Sequence, residues 1–447
     1  MSGEPKGPVK PFAITHRTVL AISVPMTLAY ISTPLLGLVD TAVVGQFGTP
    51  ALIGGLAVGA IIIDLVFTTF NFLRSGTTGL VSQAHGADDE KEQQAILFRA
   101  LAIALSSGLI MALSSPLILW LGLWFMAPGE AVAEATSTYF LIRMISAPFA
   151  LGNYVILGWL LGKGRSGLTL AIQLLLNGTN IALSIYLGLW LEWRIEGVAI
   201  ATIIGEVLAF GVGLLVCRIL LDPTVRPSRQ RIFDRLAWKR LVNLNADIMI
   251  RSFALLFAFA YFTSQGAQFG EVTLAANAIL MHFFFIAGYF LDGLATAAEQ
   301  ICGRAVGARF RSGFWKGFRL TLLWNTIMAG LCVVVFLFAG PSLVSLMSTN
   351  AEVQSEALAF LYWAAFIPLA GVLAFQLDGV FIGATWSRDM SIMMVISLAL
   401  YMLVWQLVRE PLGNDGLWLA LHAFLVFRGL TLALRVMPNM RKTFPAT

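Results

Sequence analysis

Long apolar stretches alternate with short polar connections along the whole chain of 447 residues. Each stretch holds about twenty or more mostly apolar residues, the length at which a helix crosses the roughly 30 Å hydrocarbon core of a bilayer. We therefore expect an all-α polytopic membrane protein. The pattern predicts twelve transmembrane helices, over residues 17–46, 51–82, 94–120, 131–162, 165–188, 194–219, 240–265, 271–301, 312–340, 352–383, 388–409 and 415–437.

The composition excludes a soluble globular domain. Hydrophobic residues make up 58% of the chain and charged residues 12%, with a mean hydropathy of +0.83, whereas soluble domains have about 25% charged residues. Cys217, Cys302 and Cys332 are scattered within or beside spans, which predicts neither a disulfide framework nor a metal site. The sequence contains no phosphate-binding loop and no nucleophile motif, so we expect a protein that is not an enzyme and needs no cofactor.

Positive charges indicate the orientation in the membrane. Lys and Arg lie at both ends of the chain and in the connections that follow even-numbered spans, whereas the other connections contain none apart from Arg194 and Arg409 at their edges. By the positive-inside rule both termini are cytoplasmic. The net charge of +5 and the pI near 9.2 are therefore topology signals and give little support for nucleic-acid binding. We expect a monomer, surrounded by lipid, in a bacterial inner membrane.

Short motifs recur at nearly one offset, which predicts two six-helix lobes. The offsets are 222, 221, 221 and 219 positions, and the pairs are Gln46-Phe47-Gly48 with Gln268-Phe269-Gly270, Gly86-Ala87 with Gly307-Ala308, Gly158 and Gly162 with Gly379 and Gly383, and Glu196-Gly197 with Asp415-Gly416. Six spans separate the copies, so the repeat is parallel, about an axis along the membrane normal. The expected organisation is a cytoplasmic tail (1–16), an N-lobe (17–219), a cytoplasmic linker (220–239), a C-lobe (240–437) and a second tail (438–447).

Asp40 is the only formal charge between Thr18 and Gly45, in the first predicted span. A lone carboxylate in hydrocarbon is costly unless it meets water, a partner or a proton, so an acid here indicates a functional site. At about 1.5 Å per helical residue, Asp40 lies roughly 12 Å below the outer end of its span. Burial disfavours a charged carboxylate and nearby hydroxyls and amides stabilise it, so we expect Asp40 to alternate between charged and neutral forms.

Polar residues of three other spans are candidates for the same site, because most of them reach a similar depth: Tyr139, Asn177, Asn180, Ser184, Thr202 and Glu206. Asn177, Asn180 and Ser184 share one face of the fifth span by their i, i+3, i+7 spacing. Interhelical hydrogen bonding is the alternative interpretation for Asn180 and Thr202, and an interfacial position is the alternative for Tyr139. Arg74 and Arg143 are expected to pair with acids such as Asp64.

The second lobe has Phe262 at the position that matches Asp40, and its charges lie closer to the cytoplasm. Buried membrane charges nearly always pair, so an ion-paired structural network is the leading interpretation and a second coupling site is the alternative. The charges of the second lobe are Asp247, Arg251, Asp292, Glu299 and Asp378.

Pro25 and Pro34 interrupt the first span before Asp40 and are candidate hinges, because proline removes a helical hydrogen bond.

Several motifs are distributed over nearly the whole chain. They are the ends of spans two and eight (Gln83-Ala84-His85-Gly86-Ala87 and Arg304-Ala305-Val306-Gly307-Ala308), Asp40 followed by Thr-Ala-Val-Val-Gly, and segments 247–251, 291–293 and 378–385. In these motifs the chain resembles the multidrug and toxic compound extrusion (MATE) transporters, and within them the DinF branch. The resemblance implies that Asp40, Tyr139, Asn180 and Thr202 form a cation or proton site. Ser184 departs from the family pattern, since many relatives have a second aspartate there. This loss favours protons over Na⁺, although Glu206 is a possible source of the missing charge.

The sequence therefore predicts a cation-coupled antiporter, most simply proton-coupled, that exports amphipathic and often cationic small organic compounds by alternating access. Protonation of Asp40 would expel the substrate from the N-lobe cavity. The alternative within the same superfamily is a flippase for lipids or lipid-linked sugars, which would need a cavity lined by several arginines. A passive channel is a further alternative, and accumulation of substrate against a gradient would exclude it.

Overall fold

The computed structural model describes residues 9–445, and this range contains helices but no strand. The first nine α-helices are α1 (His16–Gly45), α2 (Pro50–Thr69), α3 (Phe72–Gly86), α4 (Glu90–Leu113), α5 (Ser115–Met126), α6 (Glu130–Met144), α7 (Ala147–Gly162), α8 (Ser166–Leu183) and α9 (Arg194–Leu220), with a π-helical segment, Ser184–Trp190, after α8. The others are α10 (Arg229–Ile232), α11 (Arg235–Gly266), α12 (Glu271–Gly307), α13 (Arg311–Met347), α14 (Ala351–Gly383) and α15 (Ser387–Thr443), with a 3-10 turn, Ala267–Phe269, after α11.

These helices form twelve membrane spans within the described range, as predicted. Ten segments are each long and apolar enough to cross a bilayer, and α6 with α7 forms another span that bends by 53°. Helix α15 has 57 residues, about 85 Å at 1.5 Å per residue, so it is far too long for one crossing. Gly413 has φ 52° and ψ −127° and divides α15 into two spans.

Several helices begin with residues that favour a helix N-terminus. The Asp89 side chain accepts a hydrogen bond from the Glu92 amide at the start of α4, and Asn350 accepts bonds from the amides of Glu352 and Val353 at the start of α14. Helices α2, α5 and α7 each have a proline in the first turn. Proline is favoured there because the amide that it lacks would have no partner inside the helix.

Four turns of the second half repeat unusual backbone conformations of the first half. A positive φ occurs at Gly48 and Gly270, at Asp88 and Arg309, at Gly164 and Thr385, and at Arg194 and Gly413. The two members of each pair are 222, 221, 221 and 219 positions apart, the same offsets as the sequence motifs. Residues other than glycine rarely adopt positive φ, so this coincidence confirms the internal repeat.

Paired glycines perform the same packing task in both halves. A Cβ on Gly158 of α7 would overlap the Arg74 carbonyl oxygen of α3, and a Cβ on Gly379 of α14 would overlap the Ala295 carbonyl oxygen of α12. Each of these glycines is followed four residues later by another, Gly162 or Gly383. Small residues at this spacing let two helix backbones approach closely in a membrane. In each half the fourth span therefore packs directly on the backbone of the second.

The chain divides into two compact units. One contains Leu28–Asn245, and the other contains the residues up to Thr27 together with those from Ala246 onward. The lobe boundaries at residues 219 and 240 stay a prediction, and residues 1–8 and 446–447 of the predicted tails lie outside the described range. In the second unit Phe262 is buried, with its ring centroid 4.9 Å from that of Trp418. An aromatic pair thus occupies the repeat position that holds Asp40 in the first unit.

Candidate functional site

Asp40 lies on α1 with only 6% of its surface exposed. Its carboxylate oxygen Oδ1 accepts a hydrogen bond from Ser184 Oγ at 2.8 Å. Ser184 is fully buried, and its Oγ also lies 3.1 Å from Asn180 Oδ1. The structure therefore brings three of the predicted site residues, Asp40, Ser184 and Asn180, into one continuous chain of polar groups.

Helices α1 and α8 are joined by a second polar contact, about two helical turns away from the first. Asn177 Nδ2 donates to Ser32 Oγ at 2.8 Å, and Asn177 Oδ1 accepts from Gln173 Nε2 at 3.2 Å. Ser32 precedes Asp40 by eight residues and Asn177 precedes Ser184 by seven, so the two helices run parallel with matched rises of about 10–12 Å. Ser32 was not a predicted site residue.

The polar chain meets an irregular backbone. Ser184 is the first residue of the π-helical segment Ser184–Trp190, in which the Leu191 amide reaches back to the Tyr186 carbonyl at 3.0 Å. Such wider turns inside helices occur frequently at functional sites. Gly188 lies inside this segment and Gly197 lies on α9, where a Cβ would come within 2.7 Å of the Gly188 nitrogen. The sixth span therefore packs against the backbone of the π-helix.

Two predicted site residues are buried but make no hydrogen bond to the Asp40 chain among the described residues. Thr202 donates to the Val198 carbonyl of its own helix at 3.1 Å. Tyr139 is 5% exposed, packs against Gly59 and interacts electrostatically with both Arg143 and Asp40. Tyr139 thus belongs to the surroundings of the Asp40 chain, whereas the Thr202 hydroxyl bonds within its own helix.

Glu206 and Arg143 form a buried ion pair. Arg143 Nη1 lies 3.1 Å from Glu206 Oε1, and the two side chains are 11% and 8% exposed. Arg143 was expected to pair with an acid, with Asp64 as the example, and the acid that it contacts is Glu206. The signal that was available is the lone cation in the fourth span, because an intramembrane charge requires a partner.

Charges of the second unit gather around Asp378. Arg251 donates to Asp378 Oδ2 from Nη2 at 2.8 Å and from Nε at 3.1 Å, and Arg428 Nη2 contacts the same oxygen. Arg428 is 2% exposed and lies over the Phe375 ring, 5.5 Å from its centroid. It was not a predicted residue, although it is the only charge in the apolar stretch 416–434.

The other charged candidates of the second unit lie in different surroundings. Asp247 accepts a hydrogen bond from Ser387 Oγ at 2.7 Å and forms no ion pair among the described residues. Asp292 is exposed and interacts electrostatically with Arg428. Glu299 is 3% exposed, and its backbone carbonyl lies against Gly383. Asp247 and Arg251 are four residues apart on α11, yet each contacts a partner on another helix.

Pro25 and Pro34 both lie inside α1, which is helical from His16 to Gly45. The boundary between the two compact units falls within α1, between Thr27 and Leu28, close to Pro25. Gly293 of α12 lies against Thr27 in the second unit. The hinge role of the two prolines stays a prediction.

Each unit contains a cavity. In the first unit a cavity of 560 Å³ is lined by Thr138 and by a charged rim of Glu134, Glu192, Arg194 and Glu196. In the second unit a cavity of 360 Å³ is lined mainly by apolar side chains, among them Phe259, Phe262, Met281 and Phe285. Within residues 9–445, no group of three or more His, Cys, Asp or Glu side chains is arranged to hold a metal ion.

The MatE family model matches residues 25–186 and 248–406, one segment in each half of the internal repeat. The chain belongs to the MATE family. DNA damage-inducible protein F of Escherichia coli K12 is 38% identical to this MATE protein over 414 residues, which cover 92% of this chain and 90% of that protein. The similarity confirms the DinF branch.

Two further comparisons agree with this assignment. A probable multidrug resistance protein NorM of Chromobacterium violaceum is 24% identical over 95% of this MATE chain and 94% of its own length. A crystal structure of a MATE protein in the straight conformation has a TM-score of 0.88 at 16% identity, covering 96% of this chain and 97% of that one. The chain is therefore a multi-pass membrane transporter of the family that exports drugs and toxic compounds.

Proposed function

We propose that this MATE protein is a proton-coupled antiporter, located in a bacterial inner membrane, that exports amphipathic and often cationic organic compounds. One observation carries the proposal. Asp40 is buried and has a neutral hydroxyl group as its hydrogen-bond partner. By contrast, Glu206 and Asp378 are each occupied by arginine. Asp40 is therefore the buried carboxylate of the first unit that a proton can neutralise without breaking an ion pair.

The same surroundings favour a proton over Na⁺. A hard metal cation prefers several oxygen ligands, carboxylates among them. The donor nearest to Asp40 is the single hydroxyl of Ser184, and Glu206 already binds Arg143. A proton needs only one carboxylate oxygen and one acceptor, and Ser184 Oγ can be that acceptor.

Ser184 can report the protonation state of Asp40 because a hydroxyl group has only one proton. When Asp40 is charged, Ser184 donates to Asp40. When Asp40 carries a proton, the carboxyl group donates to Ser184 Oγ, and Ser184 then donates to Asn180 Oδ1. Asn180 Nδ2 has no hydrogen-bond partner among the described residues. When Asp40 is charged, a flipped Asn180 amide can donate from Nδ2 to Ser184 Oγ. Protonation thus reverses the direction of the hydrogen bonds between α1 and α8.

Substrate export follows from competition for the charge of Asp40. A cationic compound entering from the cytoplasm is attracted by the ionised carboxylate, and a proton arriving from the periplasm removes that attraction.

Ion-swap transport in proteoliposomes tests the proposal. Purified protein is reconstituted, and uptake of a fluorescent lipophilic cation is driven either by a pH gradient without Na⁺ or by a Na⁺ gradient at equal pH. We expect the pH gradient alone to drive accumulation and a protonophore to abolish it. Accumulation driven by Na⁺ at equal pH would contradict the proton assignment, and failure to accumulate the cation under either gradient would contradict antiport. Protein-free liposomes measure passive leakage.

A further inference from the structure

Arg143 and Glu206 form the ion pair of the first unit that is most completely removed from solvent. The Arg143 side chain is 11% exposed and that of Glu206 is 8% exposed, and Nη1 and Oε1 are 3.1 Å apart. The pair is not saturated. Within residues 9–445, Arg143 Nε and Glu206 Oε2 have no hydrogen-bond partner.

A break in the fourth span positions Arg143. Helix α6 ends at Met144 and α7 begins at Ala147, with a bend of 53° between them. Ser146 lies in the gap, where its Oγ donates to the Arg143 carbonyl at 2.9 Å and lies 3.4 Å from Arg143 Nη1. Coupling-ion sites of membrane transporters are typically built at such discontinuous helices.

Glu206 is fixed from the other side, next to the Asp40 chain. Asn153 Nδ2 donates to the Glu206 carbonyl at 3.0 Å, which ties α7 to α9. At the preceding residue, Gly205, a Cβ would lie 3.4 Å from the Asn180 nitrogen. Arg143 also interacts electrostatically with Asp40 itself.

Other ionisable groups face this pair from the neighbouring helices. Asp64 of α2, Tyr139 of α6 and Tyr154 of α7 all interact electrostatically with Arg143. Arg74 of α3 interacts with Tyr154. Glu206 is nevertheless the acid that Arg143 contacts directly.

We propose that Arg143 is a coupling-specificity residue: it neutralises Glu206 within the protein, so that Asp40 alone exchanges a proton for substrate. A buried carboxylate without a counter-ion would take up a proton and become a second exchange site beside Asp40. In the pair, that carboxylate is occupied by Arg143. The proposal rests on the proton-coupled function, and it assigns the cause of the coupling ratio to one side chain.

Proton release on substrate binding tests this role. Purified protein in weakly buffered detergent solution is mixed with a lipophilic cation, and released protons are measured with a pH indicator. At a pH low enough that Asp40 carries a proton in the free protein, wild type is expected to release about one proton per bound cation, because one carboxylate titrates. Arg143→Gln is expected to release about two, because Glu206 then titrates as well. Arg143→Lys keeps the positive charge and is expected to match wild type.

The double variant Arg143→Gln/Glu206→Gln keeps the test decisive where the single variant does not fold. It removes both charges together and leaves no buried group unpaired. We expect about one proton again, from Asp40. Unchanged release from a folded Arg143→Gln protein would overturn the inference, and so would loss of proton release in the double variant. Absence of proton release in wild type would instead contradict the proton-coupled function itself.

Discussion

Ser184 Oγ lies 2.8 Å from Asp40 Oδ1 and 3.1 Å from Asn180 Oδ1, so a single hydroxyl group stands between two acceptors. Its one proton can satisfy only one of them at a time. The acceptor that Ser184 serves therefore depends on whether Asp40 carries a charge or a proton. Because Asp40 lies on α1 and Ser184 begins the π-helical segment after α8, a protonation event is transmitted between two spans.

Replacing Ser184 by alanine is expected to disable this transmission. The change removes a hydrogen bond to a charged group, a contribution of about 1.5–3 kcal/mol. We expect transport driven by a pH gradient to fall by roughly tenfold or more, since about 1.4 kcal/mol corresponds to a factor of ten. Ser184→Thr retains the hydroxyl group and should retain most activity.

The matched control for Ser184→Ala is Ser106→Ala. Ser106 is an exposed residue whose hydroxyl bonds to the Ala102 carbonyl of its own helix at 2.7 Å. Proteoliposome uptake rates of the three variants and wild type, at equal protein content, make the comparison. Equal rates for Ser184→Ala and Ser106→Ala would contradict the relay.

A methyl group on Gly158 is expected to destabilise the first unit. Its Cβ would overlap the Arg74 carbonyl oxygen, which is backbone and cannot move aside without shifting α3. Overpacking of this kind costs about 1–3 kcal/mol. Gly178→Ala is the control, because a Cβ there meets no atom within 4 Å. Thermal unfolding in detergent should show a lower midpoint for Gly158→Ala only, and equal midpoints would argue against the close helix contact.

Asp378→Asn is expected to act on stability and to leave proton coupling intact. The change leaves the buried guanidinium of Arg428 and that of Arg251 without their shared carboxylate, and breaking a buried pair in this way costs about 3–5 kcal/mol. Asp389→Asn is the milder control, because its partner Arg435 is 37% exposed and such pairs contribute about 1 kcal/mol or less. The unfolding midpoint and the proton release of the folded fraction are both measured. Normal stability combined with lost proton release would instead favour a second coupling site.

The linker between the predicted lobes contains a turn that should open in acid. The Thr224 hydroxyl donates to Asp222 Oδ1 at 2.6 Å and the Thr224 amide donates at 2.8 Å, and these bonds lower the pKa of Asp222. A lowered pKa means that the turn gains stability above the ordinary aspartate value of about 3.9 and loses it as the pH falls through the lowered value. Hydrogen exchange at the Thr224 amide, corrected for its intrinsic rate, should therefore stay slow near neutral pH. Exchange that remains equally slow when Asp222 is protonated would contradict this assignment.

The sequence was sufficient for the features that follow from local chemistry. Apolar length predicts the spans and motifs at nearly one offset predict the repeat, and both are written into the order of residues. The link of Asp40 with Ser184 and Asn180 was also accessible, because one face of a helix and a common depth restrict which groups can meet. Helix geometry converts the spacing between two residues of one helix into the face and the height of their side chains.

The remaining contacts depend on how helices rotate and pack, which residue spacing does not determine. Arg143 and Glu206 are 63 positions apart and Arg428 and Asp378 are 50 apart, so no periodicity connects them. Thr202 was predicted at a depth similar to that of Asp40, yet its hydroxyl bonds to its own helix. Depth counting supplies the height of a side chain along a span and leaves its direction around the helix open.

The most direct test of the central claim is proton release by Asp40→Asn on substrate binding. In weakly buffered detergent solution, at a pH low enough that Asp40 carries a proton before the cation binds, wild type should release about one proton for each lipophilic cation bound, since substrate and proton share one carboxylate. Asp40→Asn cannot carry that proton, so it should bind the cation more weakly and release none. Proton release by a folded Asp40→Asn protein at the wild-type ratio would contradict the assignment of Asp40 as the coupling residue.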